Sequence, residues 1–80
     1  MQKAAPLTSL AIGEEATIHS VDQTDPQLAA QLEDNGLIEG EKVAVMARGP
    51  LGGTPLAIRL GRAVLALRRS EAEAVTVTRS

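Results

Sequence analysis

Two hydrophobic periods alternate along the chain, and they divide it into elements. Leu7 and Leu10 stand three apart ahead of Gly13, a spacing that predicts a single helical turn ended by glycine. Glu14 to Val21 reads as a strand in which Ile18 and Val21 are out of period-2 phase, so a bulge or a strand end is expected near Ser20. From Asp25 to Gly36 the period becomes helical. Leu28, Ala29 and Leu32 form an apolar stripe, and Gln27, Ala30, Gln31 and Asp34 form the opposite face. Asp25 is the expected cap, Pro26 the first helical residue, and Gly36 the left-handed stop that lets Leu37 fold back onto Leu32.

Strand patterns fill the remainder. Lys42 to Arg48 alternates, which predicts Val43, Val45 and Ala47 on one face and Ala44, Met46 and Arg48 on the other. Gly49 to Pro55 is dense in turn residues and reads as a flexible connection. Leu56 to Leu60 and Ala63 to Arg68 follow as a hairpin across Gly61-Arg62, a register that sets Leu60 opposite Ala63, Ile58 opposite Leu65 and Leu56 opposite Leu67. Ser70 to Glu73 has capping-box spacing for one more helical turn, and Val75 to Thr78 is a last strand with Val75 and Val77 inward. Residues 1–6 show no apolar period and are expected as a flexible lead-in to one domain over residues 7–80. The predicted fold is mainly β: a small five-stranded barrel with one short amphipathic helix and one or two single helical turns. Closure would remove the sheet edges.

Composition narrows what such a domain can do. The chain has 80 residues, with no Phe, Tyr, Trp or Cys, so its core is built from Leu, Ile, Val and Ala. Without aromatic rings there is no lined groove for proline-rich peptides, no stacking platform for bases and no cage for methylated amines. Without cysteine there are no disulfides, thiolate metal sites or Cys nucleophiles, which fits a reducing compartment and predicts a cytoplasmic protein. No apolar run is longer than that of Ala63 to Leu67, far short of the roughly 20 residues a membrane helix needs, so no direct membrane insertion is expected.

No catalytic set assembles, and the chain is read as a non-enzyme. His19 is the single histidine, and the carboxylate pairs Glu14-Glu15 and Glu33-Asp34 are chain neighbours that point apart. Neither a metal site nor a cofactor site has its ligand spacing, and none is expected. The Gly49 to Pro55 segment lacks the Lys-Ser/Thr ending and the following helix of a phosphate loop. Charge is more informative. Residues 1–40 carry one basic and seven acidic groups, and residues 41–80 carry seven basic and three acidic, within a net charge of −2. Arg48, Arg59, Arg62, Arg68 and Arg69 fall on turns or outward strand positions, a candidate docking face for an acidic partner. The negative total and the lack of interleaved aromatics argue against nucleic acid. Leu51, on a glycine-flanked loop tip, buries nothing locally and is a candidate contact. Ala57, Val64 and Ala66 form a small outward apolar patch.

The ordered pattern Leu7-x-x-Leu10-x-x-Gly13, Leu32-x-x-x-Gly36-Leu37-x-x-Gly40-x-x-Val43, Pro50-Leu-Gly52, Leu65-x-Leu67-Arg68-x-x-Glu71-Ala72 and Val75-x-Val77 resembles the FeoA family over residues 7 to 78. The resemblance implies an SH3-like β-barrel. It also implies a small cytoplasmic accessory of bacterial ferrous iron uptake that acts through the cytoplasmic portion of the membrane GTPase and permease FeoB, reaching the inner face of the membrane only through that partner. The expected contacts are Pro50, Leu51, Gly52, Arg59, Arg62 and Arg68, with at most a weak homo-oligomer besides. The alternative is a metal-responsive regulatory domain of the iron-dependent repressor type, disfavoured because no DNA-binding helix pair precedes Leu7. The loop departs from the family pattern in reading Pro-Leu-Gly-Gly-Thr-Pro, where an acidic residue is common before the second proline.

Overall fold

A computed structural model describes residues 3–79. Ala4–Pro6 is a first strand, β1, and Leu7–Ser9 is a 3₁₀ turn that buries Leu7. Then come β2 (Glu15–Val21), helix α1 (Pro26–Asp34), β3 (Lys42–Gly49), β4 (Gly53–Leu60), β5 (Ala63–Leu67), the short helix α2 (Arg69–Glu73) and β6 (Val75–Arg79). All six strands belong to one antiparallel sheet in the order β1-β6-β2-β3-β4-β5. Two expectations change. The sheet has six strands, because Ala4, Ala5 and Pro6 pair with Thr78, Val77 and Thr76 instead of preceding the domain as a lead-in. Nor does the sheet close by hydrogen bonding, since β1 and β5 remain its two edges.

A single sheet with one core must curl. Ile18, Val43, Val45, Leu56, Ile58, Leu67, Val75 and Val77, drawn from five of the strands, meet in one buried cluster with Leu7, Leu10, Leu32 and Leu37. A flat sheet could not bring side chains from β5 and β6 into one cluster. The result is a mainly β, barrel-like domain whose core is wholly aliphatic.

The helix forms as its sequence dictates. The Asp25 carboxylate accepts from the Leu28 N–H at 3.2 Å, and Pro26 occupies the first helical position, where it lacks a donor that would have gone unused. At the other end Gly36 has φ +100°, the Leu37 N–H donates to the Leu32 carbonyl at 3.0 Å, and the Gly36 N–H donates to the Glu33 carbonyl at 3.0 Å. Those paired bonds are a Schellman stop, and they place Leu37 in the core beside Leu32.

Two bulges set the phase of the sheet. Ile18 pairs with Val77 and Ser20 with Thr76, so His19 is an extra residue on β2 and Ile18 and Val21 both face inward. On β3, Val45 pairs with Ile58 and Ala47 with Ala57, leaving Met46 as the extra residue. The second bulge corrects the simple alternation: Ala47 is exposed, and Arg48 pairs with the buried Leu56 in the inward phase. The β4–β5 register follows the hairpin prediction at every pair, and Gly61 takes φ +63° at the first turn position. The second helical turn is capped two residues earlier than the capping-box spacing of Ser70 and Glu73 implied. Arg68 is its cap, with the Glu71 carboxylate accepting from the Arg68 N–H at 2.8 Å.

Candidate protein-binding surface

The β3–β4 connection is a built hairpin tip. Leu51 and Thr54 exchange backbone hydrogen bonds at 3.1 and 3.3 Å around Gly52 and Gly53, whose φ angles are +67° and +93°. Two left-handed central residues define a type I′ turn, which glycine adopts without steric cost. The Thr54 hydroxyl donates to the Leu51 carbonyl at 2.8 Å, and the Arg69 guanidinium donates to the same oxygen at 3.2 Å. The tip is thus tied to the start of α2 and is not the unsupported connection that composition suggested. Leu51 projects from it with 72% of its surface exposed.

Behind the tip, the outer face of β3, β4 and β5 carries short apolar side chains. Ala47, Ala57 and Ala66 are cross-strand neighbours in one row, and Val64, 64% exposed, lies across from Arg59 in the next. Met46, at the bulge, is 43% exposed. Sequence alternation already set Met46 on the face opposite Val43 and Val45, but did not single it out as a candidate contact.

The predicted contacts do not form one cluster. Pro50, Leu51 and Gly52 lie at the tip end of the β3–β4 hairpin with Arg69, while Arg59 and Arg62 lie at the opposite end of β4, near Lys42. Arg68 lines a shallow depression with Asp34, Asn35 and Glu71. Arg48, exposed but in phase with Leu56, donates to the Thr8 carbonyl at 2.9 Å and to the Leu10 carbonyl, so its guanidinium is engaged as a structural tie. Among the described residues the one ion pair is Arg79 with Glu14 at 2.9 Å, which leaves Arg59, Arg62 and Arg68 without a carboxylate partner. Between Lys42 and Ser70 there is no Asp or Glu at all.

His19 borders a second hollow with Gln23, Glu33, Ile38 and Glu39. Among the described residues no three His, Asp or Glu side chains converge as metal ligands. Among the described residues no helix is long and apolar enough to cross a membrane.

A curled antiparallel sheet with an aliphatic core, a glycine hairpin tip and an arginine-bearing outer face defines a small SH3-like domain. The family model of the FeoA domain matches residues 5–79, and the chain belongs to the FeoA family. It is similar to FeoA of Stenotrophomonas maltophilia, solved with zinc and described as a prokaryotic SH3 domain protein with a suggested role as a ferrous iron transport activating factor. That match has 35% identity and a TM-score of 0.77, covering 96% of this chain and 88% of that one. FeoA of Chlorobium tepidum, solved in solution, is also 35% identical with a TM-score of 0.82, covering 94% of this chain and 70% of that one. A manganese-dependent transcriptional repressor shares the fold at 20% identity and a TM-score of 0.89, over 100% of this chain and 44% of that one. No match is found among curated protein sequences.

Proposed function

We propose that this protein is a non-enzymatic accessory of bacterial ferrous iron uptake that binds the cytoplasmic portion of a FeoB-type membrane transporter. It works in the cytoplasm and reaches the membrane through that partner. The contacts are the hairpin tip Pro50, Leu51 and Gly52, together with Arg59, Arg62 and Arg68. One observation carries the reading: Leu51 is held out in solvent on a turn that Thr54 and Arg69 brace. A large apolar side chain supported in that way gains nothing within its own fold, and a partner's pocket is where it would be buried. The unpaired arginines add attraction for an acidic surface and speed its approach.

A pull-down with the transporter's cytoplasmic domain tests this. Wild type is retained, Leu51→Ala and Arg59→Glu are retained weakly, and all three keep the same far-UV circular dichroism. Full retention of both variants would remove these residues from the interface. The repressor-type alternative has only a shared fold behind it. Titration with Fe(II) or Mn(II) separates the two, because a regulatory metal domain would bind in the absence of transporter.

A further inference from the structure

Strand β5 is a sheet edge guarded only by the arginines around it. The hairpin pair Leu60 and Ala63 closes a two-residue turn, so Ala63, Leu65 and Leu67 direct their N–H and C=O groups to β4, and Val64 and Ala66 direct theirs outward. Among the described residues β5 has no second strand neighbour, and no further hydrogen bond reaches the main chain of Val64 or Ala66. Proteins ordinarily blunt such an edge with an inward charge, a proline or a bulge. Ala63 to Leu67 has none of these: its register with β4 is unbroken, and its residues are Ala, Val, Leu, Ala and Leu. Val64 is open on the outer face and Leu65 is half-buried on the inner one, so an added strand would cover apolar surface on both sides.

Charge selects the occupant. If two copies paired antiparallel in the register that joins both outward residues, Val64 to Ala66, then Arg62 of each copy would stand opposite Arg68 of the other. Like charges directly across strands are destabilising. Four arginines surround the strand: Arg59 lies across from Val64, and Arg62, Arg68 and Arg69 flank it. Asp34 and Glu71 share the depression beside Arg68, while Glu15 is the single carboxylate lining the hollow with Arg59 and Lys42, which makes the Arg59–Arg62 end the more cationic of the two.

We infer that the outward edge of β5 accepts an extended, acidic segment of a partner protein as an added strand, its carboxylates gathered toward Arg59 and Arg62. The inference rests on the reading of this face as a contact surface, and not on which protein supplies the segment.

A short peptide alternating valine and glutamate, titrated into isotope-labelled protein and followed by amide NMR, tests it. The expected result is a shift and slowed hydrogen exchange at the Val64 and Ala66 amides. Binding should weaken by about tenfold or more for Arg59→Glu/Arg62→Glu and for a valine-lysine peptide. It should vanish for a peptide N-methylated at alternate residues, which loses the pairing N–H groups while the protein is untouched. Ala66→Pro deletes one edge N–H without touching the β4 ladder and should also abolish binding. Equal binding by the N-methylated peptide, shifts confined to other elements, no binding at millimolar peptide, or protection of the same amides by self-association without peptide would each overturn the inference. The assay contains no transporter, so its failure leaves the transporter reading standing, and a negative pull-down leaves the edge assignment standing.

Discussion

The guanidinium of Arg48 donates to the main-chain carbonyl of Thr8 at 2.9 Å, and its reach extends to the Leu10 carbonyl, so the end of β3 is fastened to the turn that follows β1. These are bonds from a charged donor to two carbonyls that lack strand partners. Arg48→Ala is expected to lower stability by about 1–3 kcal/mol, and Arg48→Lys to recover part of that with a single point donor. Urea denaturation followed by far-UV circular dichroism measures this, since a chain without Trp or Tyr gives no useful intrinsic fluorescence. An unchanged midpoint for Arg48→Ala would mean the tie contributes nothing.

Gly49 is held by space. A Cβ there would lie 2.4 Å from the Thr54 carbonyl oxygen and 2.6 Å from its carbon, both backbone atoms with no freedom to rotate away. Gly49→Ala should therefore cost about 2 kcal/mol or more. Gly13 offers a control: its φ is +87°, yet nothing lies within 4 Å of its Cβ position, so Gly13→Ala meets backbone strain of about 1–2 kcal/mol without a clash. Thermal melts should rank Gly49→Ala as the less stable.

Removing residues 1–6 distinguishes a paired strand from a lead-in. The deletion strips Ala4, Ala5 and Pro6 from Thr78, Val77 and Thr76, with an expected loss of about 1–2 kcal/mol. Amide exchange in β6 should quicken. A truncated protein with unchanged stability and unchanged β6 protection would show that β1 does not hold.

The Asp22 carboxyl titrates below the usual carboxylate range, because the Thr24 hydroxyl donates to it at 2.6 Å and the Thr24 N–H at 2.9 Å. A depressed folded pKa gives a stabilising contribution that is full above the unfolded value and lost as pH falls through the folded one. Asp22 is exposed, so the titration itself is the sensitive readout. Carboxyl-carbon NMR should find the Asp22 pKa raised toward its ordinary value in Thr24→Val. An identical titration curve would assign the shift to another cause.

Helix α1 and the β4–β5 hairpin were readable from sequence because local chemistry decides them. Asp25, Pro26 and Gly36 mark the helix ends, and Gly61 fixes the turn that sets the strand register. The bulge at Met46 was not readable. Val43 to Ala47 is apolar at every position, so hydropathy does not mark where the alternation slips, and the slip goes with the bonds that Arg48 makes to a segment 38–40 residues away. β1 was hidden for a similar reason: Ala-Ala-Pro has no pattern of its own and becomes a strand only because β6 offers it an edge. Leu51 could be singled out from its glycine neighbours, but its brace by Arg69 spans 18 residues and left no local mark. The separation of Arg59 and Arg62 from Leu51 was implicit in the hairpin register, since the two ends of β4 cannot share one contact point.

The place of β6 between β1 and β2 governs how the domain can be made. A chain emerging from the ribosome N-terminus first holds β1 and β2 early, but nothing joins them until Val75 to Arg79 arrive and insert between them. Val75 and Val77 also complete the buried cluster, so no shorter nascent segment has a closed core. Folding is therefore expected only after the whole domain has been synthesised, with β2 and the apolar edge of β5 both open in the interim. In that interval the arginines flanking β5 would serve a second purpose, keeping newly made copies from pairing with one another.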